Sequence, residues 1–219
     1  MKNPCKVKIC CISSIREAEL AVGCGADALG FVSNMPSGPG VISDEKILEI
    51  IRTVPSSIDK FLLTSETESD QIINQQKKFE PDTLQLVDEV RMEVYQDLKN
   101  KLPGIKIVQV VHVTDDDSVK YAERVSEFAD AILLDSGNPN LSIKELGGTG
   151  KVHNWNISRK IRENVNIPVY LAGGLNAANV SEAIKTVRPY AVDLCSGVRT
   201  DGELDEIKLN EFFKNLRIT

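Results

Sequence analysis

Two residues near the ends of apolar runs have side chains suited to moving protons. Cys10 lies in "KVKICCI" (6–12), and Asp135 closes "DAILLD" (130–135). A thiolate can take a proton from carbon if it is partly ionised near neutral pH, starting from a solution pKa of about 8.5. A carboxyl group at the end of an apolar strand is poorly solvated, which raises its pKa and suits it to donate a proton. Capping of the following turn is an equal reading of Asp135.

A second kind of chemistry is suggested by residues with no reactive side chain. "PVYLAGGLNAANV" (168–180) stops a buried strand at Gly173-Gly174. "LGGTGK" (146–151) and "CSGV" (195–198) place further glycines in two other late loops. Such glycines either make tight turns or let a ligand reach the backbone. Bare N–H groups beside helix N-termini are suited to a phosphate. The repetition favours an anion seat built from Gly148, Thr149, Gly150, Gly173, Gly174, Ser196 and Gly197. His112 either lines the same mouth or packs in the wall, with packing slightly favoured. His153 and Trp155 follow the sixth-strand loop and are placed to cover a pocket.

These groups need a scaffold that brings them together. Eight short apolar, β-branched runs recur, at 6–12, 27–33, 58–64, 82–87, 105–113, 130–135, 167–172 and 191–196. They read as strands buried on both faces. Stretches with helical spacing separate them. One starts at Ser43 and ends at Pro55, one opens at Thr114, and one runs from Asn176 to Pro189. The stretches 66–80, 89–101 and 155–164 are long enough for helices, and 204–218 is amphipathic. Strand then helix, eight times, predicts a single (β/α)8 barrel over residues 1–219, at about 27 residues per unit. In that fold the active site lies at the carboxyl ends of the strands, and phosphate sites form after the late ones. An open doubly wound sheet is the competing architecture, but no G-x-G-x-x-G follows the first strand.

Composition narrows the function. The formal net charge is −6 and no basic block appears, which argues against nucleic acid as a partner. No apolar run is long enough for a membrane span, and the N-terminus has no apolar leader, so a cytoplasmic protein is expected. The five cysteines are odd in number, and their spacing fits neither a disulfide framework nor a zinc site.

Taken together, "KVKICCISSIREAELAVGCGADALGFV", "ADAILLDSG", "LGGTGKVHNW" and "PVYLAGGLNAANVSEAIKTVRPYAVDLCSGV" resemble the phosphoribosylanthranilate isomerase family of tryptophan biosynthesis. The resemblance runs in order along nearly the whole chain and is weakest from about residue 33 to 105. It implies a TIM barrel of the ribulose-phosphate-binding type. It also implies a cofactor-free Amadori rearrangement of an N-linked phosphoribosyl amine to an aminodeoxy ketose phosphate. By this resemblance Asp135 is the acid that opens the sugar ring, Cys10 is the base that removes the proton from sugar carbon 2, and the glycine loops hold the phosphate. The implied partner is a small phosphorylated sugar-amine, with no metal, and the chain a monomer or homodimer.

The sequence departs from the family pattern at the mouth. The family's K-I-C-G becomes "KICC", with Cys11 replacing the glycine. The S-P-R-Y-V loop, whose arginine clamps the anthranilate carboxylate, becomes "SGPGVIS", with Gly40 at about the arginine's position. Q-L-H-G becomes "QLVD", and S-S-G-V-E becomes "CSGVR". An arginine–carboxylate pair is worth on the order of 1.5–3 kcal/mol, so its loss bears on amine recognition. Arg199 is a candidate to supply the missing charge, and Lys151 a weaker one. Two other readings are a paralogue acting on another phosphorylated aldosamine and a non-catalytic phosphate-binding barrel. The second of these predicts drift at Cys10 and Asp135, yet both are present.

Overall fold

The structure is a computed structural model that describes residues 5–137 and 152–217. Eight parallel strands close into a barrel in the order of the chain. They are β1 (Lys6–Ile9), β2 (Ala28–Val32), β3 (Asp59–Thr64), β4 (Thr83–Leu86), β5 (Lys106–His112), β6 (Ala131–Asp135), β7 (Val169–Leu171) and β8 (Ala191–Leu194). All eight expected runs are strands, and closure of β1 on β8 excludes the open sheet. The intervening helices are α1 (Ile15–Cys24), α2 (Asp44–Ile51), α3 (Ser69–Phe79), α4 (Met92–Lys101), α5 (Asp117–Val125), α6 (Trp155–Asn164), α7 (Val180–Val187) and α8 (Glu206–Arg217).

Strand alternation divides the core in two. Residues such as Ile9, Leu29, Phe31, Leu62, Leu84 and Ile132 point outward and pack against the helices. Ala28, Phe61, Val108, Leu133, Tyr170 and Ala191 fill the barrel. Each fully buried large side chain contributes about 1.5–3 kcal/mol, so the two layers together fix the register of the barrel.

Local capping sets where the helices begin. Ser14 accepts from the N–H of Glu17, and Ser43 from that of Lys46, as Ser43's place in the sequence predicts. Two expected starts move. α5 begins at Asp117 rather than Thr114, because the Ser118 hydroxyl folds back on the N–H of Thr114. α7 begins at Val180 rather than Asn176, because Asn176 and Asn179 are used in the preceding turn. A one-turn 3₁₀ helix (Ser196–Val198) and a small antiparallel ribbon, β9 (Arg199–Thr200) with β10 (Glu203–Leu204), follow β8 and were not foreseen.

Candidate active site

β1 and β6 deliver the proton-transfer candidates. Cys10 follows the last residue of β1, and Asp135 is the last of β6. Both side chains are almost fully buried, and both line one cavity at the carboxyl ends of the strands. Gln85, Asp193, Gly173, Gly174, Cys195 and Ser196 share that cavity, and Met35, Ser37, Gly38 and Pro39 of the loop after β2 close over it. The two candidates therefore face one space from strands on different sides of the barrel. The Asp135 carboxylate also accepts from the N–H of Ser136 at 2.7 Å, as the turn-capping reading expects.

Lys8 and Asp193 lie beneath them, and the sequence reading missed both. Lys8 points inward two residues before Cys10, and Asp193 two residues before Cys195. The ammonium donates to Asp193 at 3.0 Å and sits 5.2 Å from the centre of the Phe61 ring. Lys8 has no exposed surface. Burial opposes its charge, but Asp193 and the neighbouring thiols hold its pKa above the ordinary lysine value. Burial pushes the Asp193 pKa up, with Lys8 opposing and Asp135 adding to the rise. A positive charge thus stands below the cavity, paired with Asp193 and close to the Cys10 and Cys11 thiols. Gly30 on β2 leaves room for it: a Cβ there would lie 3.1 Å from the Lys8 Nζ and 3.0 Å from the Cys10 Sγ. The period-two alternation of Lys8 with Cys10, and of Asp193 with Cys195, was the signal in the sequence. Gln85 was also missed. It is buried, and its Oε1 has no hydrogen-bond partner among the described residues.

Both glycines of the loop after β7 take left-handed backbone, with φ of 80° at Gly173 and 63° at Gly174. The amides of Asn176 and Asn179 both donate to the Gly174 carbonyl, pinning the turn. A side chain at Gly173 would also strike the ring of His153, whose Nδ1 lies 2.8 Å from where a Cβ would be. The glycines serve the turn and the cavity at once, because side chains would disturb both. Ser196 opens the 3₁₀ turn after β8 and lines the same cavity. Gly148, Thr149, Gly150 and Lys151 lie outside the described residues.

Four expectations are corrected or refined by the geometry. Gly197 does not line the cavity; a Cβ there would lie 1.9 Å from the Leu175 carbonyl oxygen, so its role is close packing of two loops. Arg199 is not free to hold a substrate carboxylate. Its guanidinium grips Glu17 at 2.8 and 3.1 Å and donates to the carbonyls of Cys10, Cys11 and Gly202. His112 turns into a separate surface hollow beside Asp88 and Asp115, with Nε2 3.3 Å from the Val87 carbonyl. Burial lowers its pKa. His153 packs behind Gly173 instead of covering the pocket. Its Nε2 lies 2.7 Å from the Ser158 hydroxyl, and burial depresses its pKa to about 4, so the ring is neutral. Trp155 starts α6 and packs on the outer core.

The fold and this cavity define a (β/α)8 barrel whose strand ends bring a buried acid and a thiol to one cavity beside the glycine turn after β7. Residues 7–215 match the family model described as N-(5'phosphoribosyl)anthranilate (PRA) isomerase. The chain is 32% identical to the N-(5'-phosphoribosyl)anthranilate isomerase of Methanocella arvoryzae, covering 98% of this chain and 99% of the relative. It is 34% identical to that of Methanosarcina acetivorans, over 98% and 94%. Among solved structures, the phosphoribosyl anthranilate isomerase of Thermotoga maritima superposes with a TM-score of 0.84 at 30% identity, covering 98% of this chain and all of that one. A phosphoribosyl anthranilate isomerase in complex with reduced 1-(o-carboxyphenylamino)-1-deoxyribulose 5-phosphate gives 0.81 at 28%, with the same coverage. This chain belongs to the PRA isomerase family.

Proposed function

We propose that this protein isomerises N-(5'-phosphoribosyl)anthranilate by an Amadori rearrangement in tryptophan biosynthesis. The observation that carries the reading is the shared cavity: Cys10 and Asp135 line it together with Gly173, Gly174 and Ser196. Asp135 protonates the furanose ring oxygen, and the ring opens to a Schiff base. Cys10, as thiolate, removes the proton from sugar carbon 2. The resulting enolamine tautomerises to the ketone. One donor and one acceptor on separate strands suit a reaction that moves a proton off carbon and another onto oxygen. The phosphate is held by the late loops, with Gly173, Gly174 and Ser196 contributing; Gly148, Thr149 and Gly150, the rest of the expected seat, lie outside the described residues. Lys8, fixed under Cys10 by Asp193, supplies positive charge where a thiolate forms.

The test follows the loss of anthranilate-type fluorescence as substrate is consumed. Turnover is expected in the purified protein. Asp135→Asn and Cys10→Ser are each expected to lower kcat/KM by about 10²- to 10⁴-fold, the usual share of a general acid or base. A folded protein with no turnover, or an Asp135→Asn variant as active as the parent, overturns the reading.

A further inference from the structure

The closure of β1 on β8 brings two cysteines that the isomerase chemistry does not use into contact. Cys11 follows β1 and Cys195 follows β8, neighbouring strands of the barrel. Their Sγ atoms lie 2.8 Å apart. Cys11 holds φ of 64°, a left-handed backbone that glycine adopts freely and cysteine rarely adopts. A thiol kept in a glycine's conformation, in contact with a second thiol, is a pair rather than two packing residues. Both also line a crevice beside the main cavity, together with Ser13, Pro39, Gly40 and Arg199, and Cys195 is only half-buried there.

The geometry points to a reversible dithiol–disulfide site formed by Cys11 and Cys195, with a low-molecular-weight disulfide as the oxidant. The two thiols are unequal, as such a site requires. The contact with Cys11 holds Cys195 below the ordinary thiol value against burial, and the Arg199 charge helps. Hydrogen bonds to Cys10 and Cys195, followed by burial, push Cys11 well up. Cys195 is half-buried where Cys11 is almost fully buried, so Cys195 is the thiol that an external disulfide reaches first, and Cys11 is the resolving thiol. The Cys195 thiolate attacks one sulfur of the external disulfide, giving a mixed disulfide and expelling one external thiol. Cys11 then gives up its proton and attacks the Cys195 sulfur, expelling the second. Two protein thiols are oxidised, one external disulfide is reduced to two thiols, and the two protons leave with them.

The test equilibrates the folded protein in reduced and oxidised glutathione, traps free thiols by alkylation and maps tryptic peptides by mass. Expected is a linked pair of peptides 9–16 and 186–199, lighter by two hydrogens, with fragmentation placing the link on Cys11 rather than Cys10. Dithiothreitol is expected to reverse it, and Cys11→Ser and Cys195→Ser to reduce it to background. No link in oxidised glutathione, a link placed on Cys10, or glutathione retained on Cys195 without internal closure overturns the proposal. The readout is mass, so its failure is distinct from any failure of the isomerase assay.

Discussion

Gly40 stands so close to Cys11 that a Cβ on residue 40 would lie 2.4 Å from the Cys11 Cβ and 2.9 Å from its Sγ. The Cys11 thiol also reaches the Pro39 carbonyl at 3.6 Å. The bare backbone at position 40 and the side chain at position 11 are thus one packing arrangement. The consequence for the site is direct: the loop after β2 rests on the Cys11 thiol.

This arrangement predicts coupled energetics. Gly40→Ala is expected to cost about 1–3 kcal/mol from overpacking, added to the cost of its left-handed backbone. In a Cys11→Gly background most of the overpacking part is expected to vanish. Urea unfolding of the four proteins measures the coupling, and strictly additive values would refute the contact.

The Lys8–Asp193 pair predicts a second pattern. Lys8→Met leaves a carboxylate buried without its cation and is expected to cost about 3–5 kcal/mol at neutral pH. Adding Asp193→Leu is expected to return much of that loss, because no uncompensated charge remains. Thermal or urea unfolding at pH 7 checks both. Equal stability of Lys8→Met and the parent would show that the ion pair carries no weight.

Glu17 and Arg199 predict a pH dependence. Burial opposes the Glu17 charge, but hydrogen bonds from Arg199 and from the N–H groups of Leu204 and Ser13 hold its pKa below the ordinary carboxylate value. A carboxylate depressed in the folded state contributes stability above its unfolded pKa, about 4.3. That contribution is lost as pH falls through the folded value. Arg199→Met is expected to destabilise the protein by about 3–5 kcal/mol at pH 7. The gap to the parent should narrow as pH falls, first above about pH 4 because the stranded Glu17 of the variant takes up a proton, then below it because the parent loses the contribution of its depressed carboxylate. A gap that stays constant from pH 7 to pH 3 would sink the assignment.

Gly197 predicts a loss that ligand cannot mend. Gly197→Ala forces a methyl group against the Leu175 carbonyl. It is expected to lower the unfolding midpoint, and added inorganic phosphate should not restore the difference from the parent. Recovery with phosphate would assign the glycine to the anion seat instead.

The sequence by itself determined the barrel: eight β-branched runs separated by helical periods leave few ways to bury every strand on both faces. It also determined that Asp135 ends a strand and that Cys10 lies at or next to one, because position along a strand is a local property. Tertiary structure decided what depends on neighbours far apart in the chain. Arg199 sits at the right face of the barrel, yet Glu17, 182 residues away, claims its charge. His112 is in register with Asp135, yet its ring lies outside the cavity. Lys8 finds Asp193, and Cys11 finds Cys195, only because β1 closes on β8. Charge pairing and side-chain contact across a closed sheet are set by three-dimensional distance, and one-dimensional spacing carries no record of it.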